Sequence, residues 1–276
     1  MVKVTYQQRH NMTGNLLNEY RKLSSLHDLE LATHLGYLSD DVIIINKFAR
    51  ADLSNGNVEL AASFPNIDPY LLTPTNVYLT STNTNDNFDV MVRYIDHNYD
   101  MQDVTITLNG QSSVLIGNDI RCIWRMENDS DTDQQGEIFA STELNPSGGL
   151  PANNGITESS VYCHMPLTSD IPANQSLSSV FTIPRNYTAI IYSPISESSK
   201  GVDCLAAGFA RQDGKTFKYK LGMSSYESTS AHSNFMTKIP EKTDLKIIAI
   251  AQTGGIVYFE YNIMLIKNNA LNIKPD

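Results

Sequence analysis

The sequence predicts a mainly β protein, a jelly-roll-like antiparallel β-sandwich preceded by one N-terminal amphipathic helix. Three observations predict it. Beyond Ser39, apolar residues recur at every second position, as in half-buried strands. Turn dipeptides containing glycine separate many short runs at intervals of about ten residues, the spacing of a sandwich or barrel. No strand–helix series runs along the chain, which disfavours a doubly wound parallel sheet.

The helix is predicted between Thr13 and Thr33. Leu16, Leu17, Tyr20, Leu23 and Leu26 fall on one helical stripe, Thr13 or Asn15 can cap the start, and Gly36 follows the plausible end. Such a stripe either packs on its own domain or docks on a neighbouring subunit, and Leu16, Leu17, Tyr20 and Leu23 are the interface candidates. The chain divides accordingly into an N-terminal arm, 1–46, and a β body, 47–276, with a further division between two β subdomains placed near 145–160.

Within the body, Val90, Val92 and Tyr94 alternate with Asp89, Met91 and Arg93, and Val104, Ile106 and Leu108 alternate with Thr105 and Thr107. Asn109-Gly110 follows, a strong hairpin signal because both central residues of the turn must tolerate positive φ. Asp213-Gly214 repeats the device between Val202–Ala210 and Thr216–Leu221. A further pair is read from Leu245–Ala251, Thr253-Gly254-Gly255 and a run in which Val257, Phe259, Tyr261, Ile263 and Leu265 share one face, the longest strand expected in the protein. Pro166, Pro172, Pro184 and Pro194 are confined to edges and turns, since proline donates nothing to a ladder.

Twenty basic against thirty acidic side chains leave a formal charge of −10, so no global field attracts a phosphate backbone and a nucleic-acid partner is not expected. No apolar run approaches the roughly 18 residues that span a bilayer, and the opening MVKVTYQQRH lacks the apolar stretch of a secretory signal. The expectation is a chain without a membrane partner that is not exported by the general route. Cys122, Cys163 and Cys204 match neither a disulfide framework nor a zinc site and read as buried free thiols. The sequons at Asn11, Asn128, Asn174 and Asn186 are what chance gives in an Asn- and Thr-rich chain.

Local chemistry is sparse. Gly214-Lys215-Thr216 resembles the end of a phosphate loop, but Phe209 stands where its first glycine belongs and the context is a hairpin. There is no G-x-S-x-G, no H-E-x-x-H, and the histidines His10, His27, His34, His97, His164 and His232 are dispersed. Asp129, Asp131 and Asp133 alternate as cation ligands do, yet Gln134 replaces the glycine and Ala140 the glutamate of an EF-hand, so the loop reads as a solvated acidic turn and only a weak metal candidate. Trp124, Tyr94, Tyr99 and Tyr162 can be read as a sugar platform, but the alternating context of Trp124 favours a core residue. No catalytic residue and no cofactor are assigned.

Several stretches carry a resemblance. Lys47-Phe48-Ala49-Arg50-Ala51-Asp52, Val77 to Asp86 with Leu79-Thr80-Ser81-Thr82, Val90 to Asp96 with Asn98-Tyr99, and Val104-Thr105-Ile106-Thr107-Leu108-Asn109-Gly110 are joined by Phe181-Thr182-Ile183-Pro184, Glu241-Lys242-Thr243-Asp244-Leu245-Lys246-Ile247 and the closing run Phe259 to Asn268. Together they make the chain, from Lys47 to Asn268, resemble tailed-bacteriophage virion structural proteins of the capsid decoration or cement type. Val58 to Asn66 departs from the Trp-containing, Gly-rich segment of that pattern. The resemblance implies a non-enzymatic protein of the virion, assembled in the host cytoplasm, whose partners are the major capsid protein and further copies of itself in a homotrimer. The alternatives are a tail, fibre or adaptor protein and, in a different class, a lectin or depolymerase acting on host glycans.

Overall fold

The structure is a computed structural model that describes residues 41–53, 58–64, 66, 68–145, 156–168, 171–199, 201–225, 231–232, 237–251 and 254–270. Its strands, in chain order, are β1 (Val42–Leu53), β2 (Val58–Leu60), β3 (Val77–Ser81), β4 (Asp89–Asp96), β5 (Met101–Thr107), β6 (Val114–Gly117), β7 (Ile120–Asn128), β8 (Ile138–Ser141), β9 (Val161–Met165), β10 (Leu167–Thr168), β11 (Ile171–Pro172), β12 (Phe181–Thr182), β13 (Tyr187–Ser198), β14 (Cys204–Gln212), β15 (Lys218–Ser225), β16 (Ala231–His232), β17 (Thr237–Ile239), β18 (Thr243–Ala251) and β19 (Gly255–Lys267). The helical structure among the described residues is a single 3-10 turn, Glu158–Ser160.

Among the described residues these strands form four antiparallel sheets and a short ribbon. The first runs β1-β19-β13-β16 with β17 also on β13, the second β12-β18-β14-β15 with β2 also on β18, the third β6-β3-β8-β9 and the fourth β5-β4-β7, while β10 pairs with β11. The first two enclose one core: Ile45, Ala49 and Ala51 of β1 and Phe259, Tyr261 and Ile263 of β19 meet Ile247 and Ala249 of β18. The third and fourth enclose another, built on Leu79, Val90, Val92, Met126, Ile138 and Met165. β7 is buried on both faces, giving Cys122 and Trp124 to the first core and Ile123 and Met126 to the second. That double burial is why Ile120 to Trp124 is a nearly unbroken apolar run and not an alternating one.

The antiparallel β class agrees with the sequence. The strands establish stacked antiparallel sheets and do not establish a jelly-roll path, and the N-terminal helix, with Leu16, Leu17, Tyr20 and Leu23, lies outside the described residues. β1 already begins at Val42, so residues 42–46 are part of the sheet. All five predicted inward residues of β19 are buried, and β19, at 13 residues, is the longest of the described strands.

Two of the three predicted hairpins are corrected. Gly110 does take positive φ, +55°, but β5 belongs to the fourth sheet and β6 to the third, so the turn carries the chain between sheets. The neighbouring loop captures it: the Gly110 amide donates to the Asp86 carbonyl at 2.9 Å, and the Ser81 amide donates to the Gly110 carbonyl at 3.2 Å. β18 and β19 likewise do not pair. Each is flanked on both edges, β18 by β14 on one side and β12 and β2 on the other, β19 by β1 and β13, which leaves neither an edge for the other. The Asp213-Gly214 hairpin forms as predicted, with Gly214 at φ +68° and β14 paired to β15. A strand after Lys215-Thr216, where a phosphate loop needs a helix, removes that reading. Pro194 lies at the bulge where β13 slips against β19 between Tyr192 and Ile195, a place that asks no donor of it.

Candidate functional site

Among the described residues, one surface suited to contact is the outer face of the second sheet. In β14, Cys204, Ala206 and Ala210 turn into the core, which leaves Leu205 and Ala207 on the opposite face. Pairing sets Leu205 beside Ile250 and Ala207 beside Ile248 of β18, so four apolar side chains form adjacent rows. Leu205 remains 56% exposed. At the bulge between Gly208 and Phe209 the rows continue into an aromatic pair, Phe209 and Tyr219, edge-on with ring centroids 6.0 Å apart, and Tyr219 is 63% exposed. Ala207, Phe209, Ile248 and Ile250 between them are half-buried, and adjoining apolar side chains left partly in solvent in this way suit a contact site.

The border of the patch is charged. β15 ends its sheet and exposes Lys218 and Lys220, and charges on a terminal strand oppose edge-to-edge strand pairing. The arrangement favours contact through the face over extension of the sheet. Beyond Phe209, Arg211 lies over the Phe217 ring at 4.3 Å, Lys246 over the same ring at 4.3 Å, and Arg211 is 3.4 Å from Asp68.

A second feature is a cleft of about 370 Å³ whose lining includes Arg50, Asp52, Glu59, Glu137, Glu158 and His164. His164 is held in place: its Nδ1 is 2.7 Å from the Ser63 carbonyl, its Nε2 is 3.4 Å from a Glu137 oxygen, and its ring stacks on Phe139 at 4.4 Å. Four carboxylates around one guanidinium and one imidazole make a polar, acid-rich recess. It brings together residues from β1, β2 and β9 and from the segments preceding β8 and β9, a convergence that no spacing in the sequence announces.

The acidic loop does not gather its carboxylates. Gln134 is buried beneath it, its amide donating to the carbonyls of Gly136, Met165 and Pro166 while its oxygen accepts from the Asn174 amide at 3.1 Å. That anchor leaves Asp129, Asp131 and Asp133 in solvent, with Asp133 accepting from the Asn174 side chain at 2.7 Å. Among the described residues no group of three His, Cys, Asp or Glu is placed to hold a metal ion. The carboxylate that does gather donors is Asp86, which accepts from Ser81 Oγ at 2.5 Å and from the amides of Gln135 and Gly136 at 2.8 and 3.0 Å, clamping two Asn- and Asp-rich loops together.

The aromatic residues read as a sugar platform are dispersed. Trp124 and Tyr99 are buried in the first core, Trp124 edge-on to Phe181 at 5.5 Å, while Tyr94 and Tyr162 pack half-buried against the second. The three cysteines are free and buried. Burial pushes the thiols up, Cys122 to about 12 and Cys163 and Cys204 to about 11.

No family model and no curated protein matches the sequence. Among solved structures, chains of infectious bursal disease virus are similar: one from the Gx strain at 11% identity and TM-score 0.25, covering 82% of this chain and 72% of that one, and one from the Gt strain at 12% identity and TM-score 0.22, covering 83% and 73%. TM-scores this low do not amount to a shared fold. Among the described residues no helix is long and apolar enough to cross a membrane.

Proposed function

We propose that the chain is a non-enzymatic virion structural protein of the tailed-bacteriophage decoration type, which binds the assembled capsid and stabilises it. The observation that carries this reading is the outer face of the second sheet, where Leu205, Ile248, Ile250 and Tyr219 offer an apolar contact surface beside a lysine-guarded edge. The sequence resemblance between Lys47 and Asn268 supports the same assignment. A protein that binds the closed shell and not its dispersed subunits stabilises the shell by mass action. Copies joined as a homotrimer make several weak contacts act together at each site. The net charge of −10 keeps many neighbouring copies soluble and mutually non-adhesive. The partner is the major capsid protein, and the place of action is the virion assembled in the host cytoplasm.

The test is co-sedimentation of the purified chain with intact shells and with dissociated capsid subunits. Saturable binding to shells alone, lost in Leu205→Asp/Tyr219→Asp, supports the proposal. Equal binding to free subunits, or binding unaffected by the substitutions, overturns it. The acid-rich cleft around His164 favours one competing reading, recognition of host glycans. Incubation with host polysaccharide decides it: depolymerisation or saturable sugar binding replaces the structural assignment, and neither is expected.

A further inference from the structure

His164 holds an unused acceptor in the acid-rich cleft. The residue is 6% exposed, and its ring is fixed by the Ser63 carbonyl, 2.7 Å from Nδ1, and by the Phe139 ring, stacked 4.4 Å away. A carbonyl only accepts, so Nδ1 carries the hydrogen of that contact, and the neutral ring keeps its lone pair at Nε2. Nε2 is buried without a hydrogen-bond partner, and the atom facing it, 3.4 Å away, is a Glu137 carboxylate oxygen. Two acceptors thus face each other with no donor between them, an arrangement that a buried polar atom does not keep cheaply. The imidazole is locked. Glu137, its side chain 29% exposed, is free to swing to another rotamer and admit a donor that the oxygen and the nitrogen share.

The rest of the lining specifies that donor. Asp52, Glu59 and Glu158 add carboxylates against the single guanidinium of Arg50, so the recess selects a cation. Asp52 and Glu158 are exposed, and among the described residues their carboxylates make no hydrogen bond or ion pair. Phe64, Pro166 and Leu167 give the same cleft apolar walls, which suit the methylene stem of a lysine. Its volume of about 370 Å³ lies within the range of about 300–1,000 Å³ found for binding pockets. Arg50 separates a peptide from a free amine. Among the described residues its guanidinium pairs with none of these carboxylates, and its Nε has no hydrogen-bond partner, so the cleft also calls for an acceptor. A main-chain carbonyl beside a lysine side chain is such an acceptor, and a polyamine has none.

We propose that this cleft is a socket for a lysine side chain carried on a basic segment of a partner protein. The ammonium is shared between Nε2 of His164 and the Glu137 carboxylate, Asp52 and Glu158 hold neighbouring positive charge at the mouth, and Arg50 donates to the main chain of the segment. Such a socket works whether or not the outer face of the second sheet binds a shell.

The test titrates the full chain with acetylated, amidated tetralysine by calorimetry, with tetraglutamate and spermine as comparison probes, and follows the His164 Nε2 nitrogen by NMR. Saturable binding of tetralysine is expected, with the His164 resonance moving as the site fills. Glu137→Gln is expected to weaken binding by about tenfold or more, and Asp52→Asn/Glu158→Gln, whose side chains are exposed and whose loss leaves the fold intact, by about fivefold. Asp129→Asn/Asp131→Asn removes the same charge from the exposed acidic loop and is expected to change binding less than about twofold. Arg50→Gln is expected to lower the preference for tetralysine over spermine by about threefold. Absence of saturable binding, a His164 resonance that does not move, tetraglutamate binding as tightly as tetralysine, or equal losses in the two paired carboxylate variants overturns the proposal. Spermine binding more tightly than tetralysine overturns it in favour of a free polyamine.

Discussion

Arg121 of β7 and Asp244 of β18 form a two-pronged ion pair across 123 residues of sequence, Nε to Oδ1 at 3.3 Å and Nη2 to Oδ2 at 2.9 Å, inside the protein. Asp244 is wholly buried and fully employed: Arg211 adds contacts at 3.1 and 3.0 Å, and Thr182 Oγ1 donates at 2.8 Å. Burial works against the charge of Arg121, and the carboxylate outweighs it, holding the guanidinium above its ordinary pKa. The ring of Tyr99 lies against the same guanidinium at 4.6 Å. The network fastens the fourth sheet to the second.

Removing one partner of such a pair strands a buried charge. Asp244→Asn is expected to cost about 3–5 kcal/mol, read from urea denaturation midpoints. Arg121→Met/Asp244→Leu is expected to cost less than the sum of its single substitutions, since Arg211 retains Asp68 at 3.4 Å. Strict additivity in that cycle would show that the two residues are not coupled.

Lys47 gives a pH signature. It occupies an inward position of β1, buried, with its ammonium donating to the Trp124 carbonyl and lying 5.8 Å from the Trp124 ring centroid. Desolvation lowers its pKa from 10.5 to about 8, so the unfolded chain binds the extra proton between those values. Stability from this group therefore rises with pH across that window, by about 3 kcal/mol in all, and the full penalty is present below pH 8. The wild-type-minus-Lys47→Met difference in unfolding free energy is expected to climb from pH 8 to 10.5. A flat difference would refute the assignment.

The thiols are expected to act as a clock for unfolding. With pKa values of about 11 to 12 and buried sulfurs, Cys122, Cys163 and Cys204 present almost no thiolate at pH 8. Labelling by a thiol reagent is expected to be absent from the native chain and complete in denaturant, at a rate independent of reagent concentration once reagent is in excess. Rapid labelling of any one cysteine in the native protein would contradict its placement.

Gly110 and Gly214 both take positive φ, yet their replacements should differ. A Cβ on Gly214 meets nothing within 4 Å, so Gly214→Ala carries only the left-handed backbone penalty of about 1–2 kcal/mol. A Cβ on Gly110 falls 2.6 Å from the Thr84 carbonyl oxygen, which adds about 1–3 kcal/mol of overpacking. Equal denaturation midpoints for Gly110→Ala and Gly214→Ala would show that the two loops around Thr84 and Gly110 are not in contact.

Alternation made individual strands legible. Val90 and Val92 point into the second core and Val257, Phe259, Tyr261, Ile263 and Leu265 into the first, because a period of two leaves little choice once one face must be dry. The candidate contact face was not legible. Leu205, Ile248 and Ile250 look in sequence like ordinary half-buried strand residues, and their role depends on which face of the second sheet another sheet covers. The cleft around His164 was equally hidden, since Arg50 and His164 are brought together only by the packing of separate sheets.

The sequence by itself determined that this chain folds as antiparallel β-structure, where strands such as β4, β5, β14 and β19 lie, which face of β4 and β19 is buried, and that Gly110 and Gly214 sit in turns of positive φ. Those are local consequences of side-chain period and backbone sterics, and each needs only a few adjacent residues. Tertiary structure decided which strands are partners. A glycine turn reverses a chain without choosing the sheet that receives it, and the choice fell to distant groups: Asp86 gripping the turn at Gly110, both edges of β18 and β19 taken by other strands, and Arg121 meeting Asp244 across two sheets. Competition for edges and for buried hydrogen-bond partners involves the whole chain at once, and no window of sequence contains it.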